Sequence, residues 1–300
     1  MRKSLSDLID KTVLLEYHLP NAAKNFQKTA HSSENDHCYR VVNTNDFAEI
    51  IYNAIIEYSF NEFEIGKVDL DKLHLRALLT RIRYNERSTD AAKLKYGFYG
   101  EVALHAILYS RYSSKPLIAR GIFYNPLEKS ETKGYDSYHL VQNGWQTELW
   151  FGEVKFHQSY SQALKDIMAN ITKALSDDYL NTNILAFSNH RQSFNIQGSP
   201  IDKILAVWES DPNIKISDEI KKYRMRLIYP ILLLYDANAK NEYDNSIKSV
   251  IDHIQKNYPA GTFSLTVPYS IFFILIPVHT VKTIKTQVMK WISSKKQPLS

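Results

Sequence analysis

Two apolar runs do most to limit how this 300-residue chain can fold. Residues 227–235 read LIYPILLLY and residues 269–278 read YSIFFILIPV. Each is about half the length that a membrane-spanning helix needs, and the second contains Pro277. Short apolar runs rich in β-branched and aromatic residues read as buried strands. The N-terminus, MRKSLSDLID, carries acids at once and lacks an apolar centre or a small-residue cleavage site, so no secretory leader is expected. Cys38 is the lone cysteine and cannot close an internal disulfide, which points to a reducing cytoplasm.

Helical periodicity surrounds these runs. Phe47, Ile50, Ile51, Ala54, Ile55 and Tyr58 predict a helix over 46–61, with Asn45 or Asp46 as its cap. Leu73, Ala77, Leu78 and Ile82 repeat the spacing over 69–84. Ser88, Thr89 and Asp90 offer caps for a third helix to about residue 112, apolar through Leu94, Phe98, Leu104 and Leu108. From Pro116 the texture changes. Segments 117–123, 138–142 and 147–156 are short and aromatic or β-branched, separated by turn-formers such as Asn125-Pro126, Gly134 and Asn143-Gly144. Then follow an expected helix at 161–176, strands at 183–187 and 225–235, a helix at 241–256, a strand at 270–278 and a helix at 280–292. Residues 21–40 carry the weakest pattern. The expected fold is α/β, with a mixed central sheet flanked by helices. A mainly helical region, 1–88, precedes a core of 89–300, unless the two form one compact unit.

Charge and glycine usage exclude several functions. Lys+Arg 37 against Asp+Glu 32 leaves a net +5, too small to argue for a nucleic-acid partner by itself. Its distribution says more: 19 bases and 19 acids in residues 1–150, then 18 and 13 in 151–300. Residues 34–71 hold nine acids against Arg40 and Lys67, and 72–95 reverse to seven bases against two acids. The acidic block is expected to face a partner or shield a channel. Only nine glycines occur, with no G-x-G-x-x-G, and the one Gly-Lys pair, Gly66-Lys67, is followed by valine. No ATP or dinucleotide site is therefore expected in this chain. There is no G-x-S-x-G, and His31, His37 and Cys38 match no zinc spacing.

One strand carries chemistry. In T-E-L-W-F-G-E-V-K-F-H, residues 147–157, Glu153, Lys155 and His157 share a face while Glu148 points the other way. Asp136, in G-Y-D, opens the preceding strand. Antiparallel pairing across Asn143-Gly144 would bring it near Glu153, although seventeen residues of separation leave room for other geometries. Glu101 lies on or beside the core-facing side of the earlier helix, with Gly97, Leu104, His105 and Leu108. Three carboxylates and one lysine suit a hard cation such as Mg²⁺, or Mn²⁺, which takes oxygen ligands and activates water for attack on phosphorus. Arg76, Arg81, Arg83, Arg87, Lys93 and Lys95, then Lys221, Lys222, Arg224 and Arg226, then Lys282, Lys285, Lys290, Lys295 and Lys296 could hold a phosphate backbone.

Together, Y-G-F-Y-G-E-V-A-L-H at 96–105, G-Y-D at 134–136 and W-F-G-E-V-K-F-H at 150–157 resemble the PD-(D/E)xK nuclease superfamily. More narrowly, they resemble the HamA family, the nuclease subunit of the Hachiman anti-phage system. The resemblance implies a restriction-endonuclease-like core, with Glu101, Asp136 and Glu153 as metal ligands and Lys155 completing the catalytic set. It also implies a cytoplasmic, metal-dependent DNA nuclease held in check by a HamB-like helicase and degrading DNA when released. The alternatives are a nuclease-fold regulatory or scaffold subunit without activity, and a restriction-type endonuclease.

Overall fold

In the computed structural model, which describes residues 1–66, 68–117, 124–125, 130–131, 134–143, 146–188, 202–203, 205–207, 215–237 and 243–299, the two apolar runs lie side by side. They form β8 (Arg226–Asp236) and β9 (Tyr269–Val278), parallel from the pair Leu227–Tyr269 to the pair Asp236–Val278. With β1 (Val13–Leu19), β2 (Asp36–Val41), β3 (Lys115–Pro116), β6 (Ser137–Asn143) and β7 (Gln146–Phe156) they make a seven-stranded sheet. Its order is β1-β2-β9-β8-β7-β6-β3. The contacts β2–β9, β9–β8 and β8–β7 are parallel, and β1–β2, β7–β6 and β6–β3 antiparallel. A short separate pair joins β4 (Tyr124–Asn125) and β5 (Ser130–Glu131). The mixed sheet of an α/β fold is present.

Alternation along the central strands divides the apolar core in two. Ile228, Leu232 and Leu234, with Phe272, Ile274 and Ile276, face one cluster. Helices α1 (Lys3–Thr12), α2 (Thr44–Ser59) and α4 (Leu70–Ala77) contribute to it, with the short α3 (Glu62–Ile65) and α5 (Asp90–Lys93) nearby in sequence. Helix α6 (Phe98–Arg111) and the last helix, taken up below, complete that side. Tyr229, Ile231 and Leu233, with Ile271, Phe273 and Leu275, face the other cluster. That side is covered by α7 (Tyr160–Ala174), α8 (Asp177–Ser188), α9 (Ile216–Lys222) and α10 (Tyr243–Asn257). The last helix is α11 (Val281–Ser294). No helix of the described residues is long and apolar enough to cross a membrane.

Several expectations are amended. Residues 183–187 belong to helix α8, not to a strand, because Leu180 and Ile184 recur at four-residue spacing and are both buried. Ser176 starts that helix by accepting the Tyr179 N–H at 3.2 Å. The expected helix to residue 112 is broken between α5 and α6, and the one at 69–84 passes into a π-helical turn at 78–82. Residues 13–19 and 36–41 form strands that sequence periodicity did not announce. Their place is set by pairing to one another and to β9. The 1–88 region thus adds two strands to the sheet as well as helices. Of the expected strand at 117–123, residues 118–123 lie outside the described residues.

The acidic block is largely used within the chain. Glu34 pairs with Arg226, Glu49 with Lys296 at 2.6 Å, Glu57 with Arg2 at 2.8 Å and Glu62 with the N-terminal amine at 3.0 Å. Asp36 is fully buried and accepts the N–H groups of Thr29 and Phe273. These side chains are occupied in binding segments of this chain to each other.

Candidate active site

The β6–β7 hairpin brings the second acid to the E-x-K strand. Ser137 pairs with Gly152, and the Asp136 N–H donates to the Gly152 carbonyl at 2.8 Å. In return the Val154 N–H donates to Asp136 Oδ2 at 2.8 Å. Asp136 thereby stands beside Glu153. Lys155 follows on the same face and its Nζ donates to Glu153 Oε1. Gly152 is required at this point in the ladder: a Cβ there would lie 2.8 Å from the Pro230 carbonyl and 2.9 Å from Ser137 Oγ.

Helix α6 delivers the third acid. Gly100 lets it approach the sheet, since a Cβ there would lie 3.2 Å from Val154 Cγ2 and 3.3 Å from Phe156 Cβ. Glu101 is the next residue, and Tyr58 on α2 donates its hydroxyl to Glu101 Oε2. Glu101, Asp136 and Lys155 line a cleft of about 690 Å³ whose wall also holds Lys95, Lys282 and Lys285.

The acids feel one another. Burial raises the Asp136 pKa well above the ordinary carboxylate range, and the charges of Glu153 and Glu101 add to it. Lys155 and the Val154 N–H oppose that rise without cancelling it. For Lys155 burial acts to lower the pKa, but the carboxylates of Glu153, Asp136 and Asp166 outweigh it, and the net direction is upward. Lys155 is therefore a firmly held cation. Lys285 is shifted the other way, to about 8, by burial.

Asp136, Glu153 and Glu101 are hard oxygen donors whose mutual repulsion a divalent cation would relieve, so the donor chemistry fits Mg²⁺ or Mn²⁺. Among the described residues no three His, Cys, Asp or Glu side chains are gathered closely enough to hold an ion. Mg²⁺ commonly takes one or two carboxylates and completes its shell with water and phosphate oxygens. The Asp136–Glu153 pair meets that smaller requirement.

The other singled-out residues are dispersed. Glu148 accepts from Trp150 Nε1 at 2.9 Å and lies 3.8 Å from Arg226, away from Glu153. His157 borders the cleft, and its Nδ1 accepts the Ser159 N–H at 3.0 Å. Cys38 is buried in one core while the His37 ring packs on His18, Tyr112 and Phe272, and His31 lies near Phe263. Arg76 and Arg81 lie over the Phe60 ring, Lys221 donates to Thr266 and Lys222 to Glu219. From the basic runs, Lys95, Lys282 and Lys285 reach the cleft. Tyr58 is a site residue that the sequence did not reveal: its contact with Glu101 spans 43 positions, and helical periodicity marks it only as a core residue.

Comparison with curated proteins and with solved structures gives no match. The family model for HamA matches residues 7–292, a span that includes all four expected site residues. The chain therefore belongs to the HamA family, that of the HamA subunit of Hachiman.

Proposed function

We propose that this Hachiman component is a metal-dependent DNA nuclease of the PD-(D/E)xK type, restrained by a helicase partner and released to degrade DNA. The observation that carries the reading is the β6–β7 hairpin that holds Asp136 against the E-x-K strand through the Val154 N–H, with Lys155 bonded to Glu153 and with Glu101, Asp136 and Lys155 lining one cleft. Asp136 and Glu153 would hold Mg²⁺ or Mn²⁺, with Glu101 as a third acid whose orientation Tyr58 maintains. The cation supplies charge neutralisation at phosphorus and a more acidic water. Lys155 donates one N–H to Glu153 and has two more for the attacking water and a phosphate oxygen. Its raised pKa suits it to orient water and stabilise charge more than to remove a proton. In the hydrolysis, the water oxygen forms a bond to phosphorus and gives up a proton to solvent, one phosphodiester P–O bond breaks, and the departing alkoxide takes up a proton from solvent. No phosphate-cradling glycine loop occurs in the sequence, which is consistent with a motor carried by a separate polypeptide.

Plasmid DNA incubated with the protein, with and without its partner, tests this reading. Mg²⁺-dependent, chelator-sensitive degradation is expected, and Glu153→Ala and Lys155→Ala proteins should fold but not cut. Full activity in both variants would reject the site. Discrete fragments would indicate a restriction-type enzyme. A subunit that assembles without cutting is a second reading, favoured by the lack of a gathered three-ligand set among the described residues. It predicts no cleavage with either metal.

A further inference from the structure

The lysines on the cleft wall have no part in the chemistry above. Lys95 lies in the turn between α5 and α6, and Lys282 and Lys285 lie in the first turns of α11. Other lysines sit against carboxylates: Lys24 lies 2.6 Å from Asp244, Lys248 3.2 Å from Asp252 and Lys296 2.6 Å from Glu49. Among the described residues no acid stands within ion-pair distance of Lys95, Lys282 or Lys285.

Lys285 has the most confined setting. Its Nζ donates to the Phe156 carbonyl at 2.9 Å and points toward the Leu94 carbonyl at 3.4 Å. The Phe156 and Tyr99 rings lie 5.0 and 5.6 Å from the nitrogen. Carbonyl dipoles and ring faces solvate a cation but do not neutralise it. The first turn of α11 contains no acid, so its N–H dipoles add positive potential to the same wall. Glu101 and Asp136 line the same cleft. A cleft lined both by uncompensated cations and by the carboxylates of the candidate site suits an anion that extends between them.

We infer that Lys95, Lys282 and Lys285 form a phosphodiester subsite that holds the DNA backbone beside the scissile phosphate. Lys285 also ties the end of β7 to the turn before α6, so it keeps the subsite in register with the acids. The inference rests on the nuclease reading for the choice of DNA as the anion and for the scissile phosphate beside the subsite.

Binding can be measured without cleavage. The full chain is titrated in chelator against a short fluorescein-labelled DNA duplex, and anisotropy is followed over a salt series. The Lys95→Gln/Lys282→Gln protein should bind about tenfold or more weakly, with the slope of log K against log salt flattened by about 1.8, roughly 0.9 per phosphate contact. Lys285→Met should weaken binding similarly, with its melting temperature recorded alongside. Lys11→Gln/Lys256→Gln, at two exposed positions away from the cleft lining, should leave both quantities unchanged. In cleavage assays the Lys95/Lys282 variant should raise KM far more than it lowers kcat. Unchanged affinity and slope in that folded variant, or no binding by the wild type, would overturn the subsite even if the protein cuts DNA. Binding that depends on these lysines in a protein that cuts nothing with Mg²⁺ or Mn²⁺ would support the subsite and overturn the nuclease reading.

Discussion

Asp136 Oδ2 accepts the backbone N–H of Val154 at 2.8 Å, so the carboxylate just ahead of β6 is fixed against β7 at the residue between Glu153 and Lys155. One oxygen is engaged by the fold. The Asp136→Asn protein keeps an oxygen to accept that N–H but loses the negative charge. It should melt within a few degrees of wild type and cut DNA slower by roughly a hundredfold or more, the scale on which charge-stabilising groups act. Wild-type rates in this variant would remove Asp136 from the site.

Tyr58 meets the site by donating its hydroxyl to Glu101 Oε2. Tyr58→Phe preserves the ring in the core and removes the hydroxyl. Hydrogen bonds that orient metal ligands are typically worth about 10–100-fold in activity or metal affinity. The variant should need more Mg²⁺ for half-maximal cleavage while its thermal unfolding stays close to wild type. An unchanged Mg²⁺ requirement would show that Tyr58 is core packing alone.

Gly152→Ala tests the ladder beneath the acids. The new methyl would meet the Pro230 carbonyl, which belongs to backbone and cannot turn aside. Overpacking of this kind costs about 1–3 kcal/mol. Denaturant unfolding should show that loss, together with reduced cleavage, because Ser137 and Glu153 adjoin the displaced pair.

Acid should weaken the fold through buried histidines. Burial lowers His74 to about 4 and His139 to about 3, and it lowers His105 well below the ordinary value, with His139 and the N-terminal amine adding to the effect. The folded protein keeps these rings neutral while the unfolded chain protonates them near 6.5. Their contribution is therefore intact above that pH and is lost as pH falls toward their folded values, by up to about 1.4 kcal/mol per pH unit for each ring. Asp36, raised to about 6 by burial, opposes this, because below that pH it holds a proton that the unfolded carboxylate releases. The melting temperature should still fall between about pH 7 and about pH 5, and His139→Gln should fall less steeply over the same range. Equal slopes would assign the acid sensitivity to other groups.

Much of the architecture is legible in local pattern. The runs at 227–235 and 269–278 are strands because nothing but burial on both faces accommodates such side chains, and β8 and β9 are the central parallel pair. Alternation on 147–157 places Glu153 with Lys155 and away from Glu148, and the ladder agrees. The expected strand at 183–187 is helix instead: the short run NILAF has no period of its own, and the burial of Leu180 and Ile184 in one core at four-residue spacing decides its structure.

Residue order along one strand, one helix face or one hairpin thus reveals the acids and the lysine, since each is a matter of spacing. Their convergence is a long-range matter. Gly100 and Gly152 permit the close approach of α6 to β7 and of β7 to β8, and Tyr58 reaches Glu101 across 43 residues. The charge runs divide in the same way. Equivalent in sequence, they separate only when folding pairs Glu49 with Lys296, lays Arg76 and Arg81 on Phe60, and leaves Lys95, Lys282 and Lys285 without acidic partners among the described residues along the cleft. A side chain's charge is written in its chemistry, but whether that charge is neutralised depends on what the fold places within a few ångströms of it.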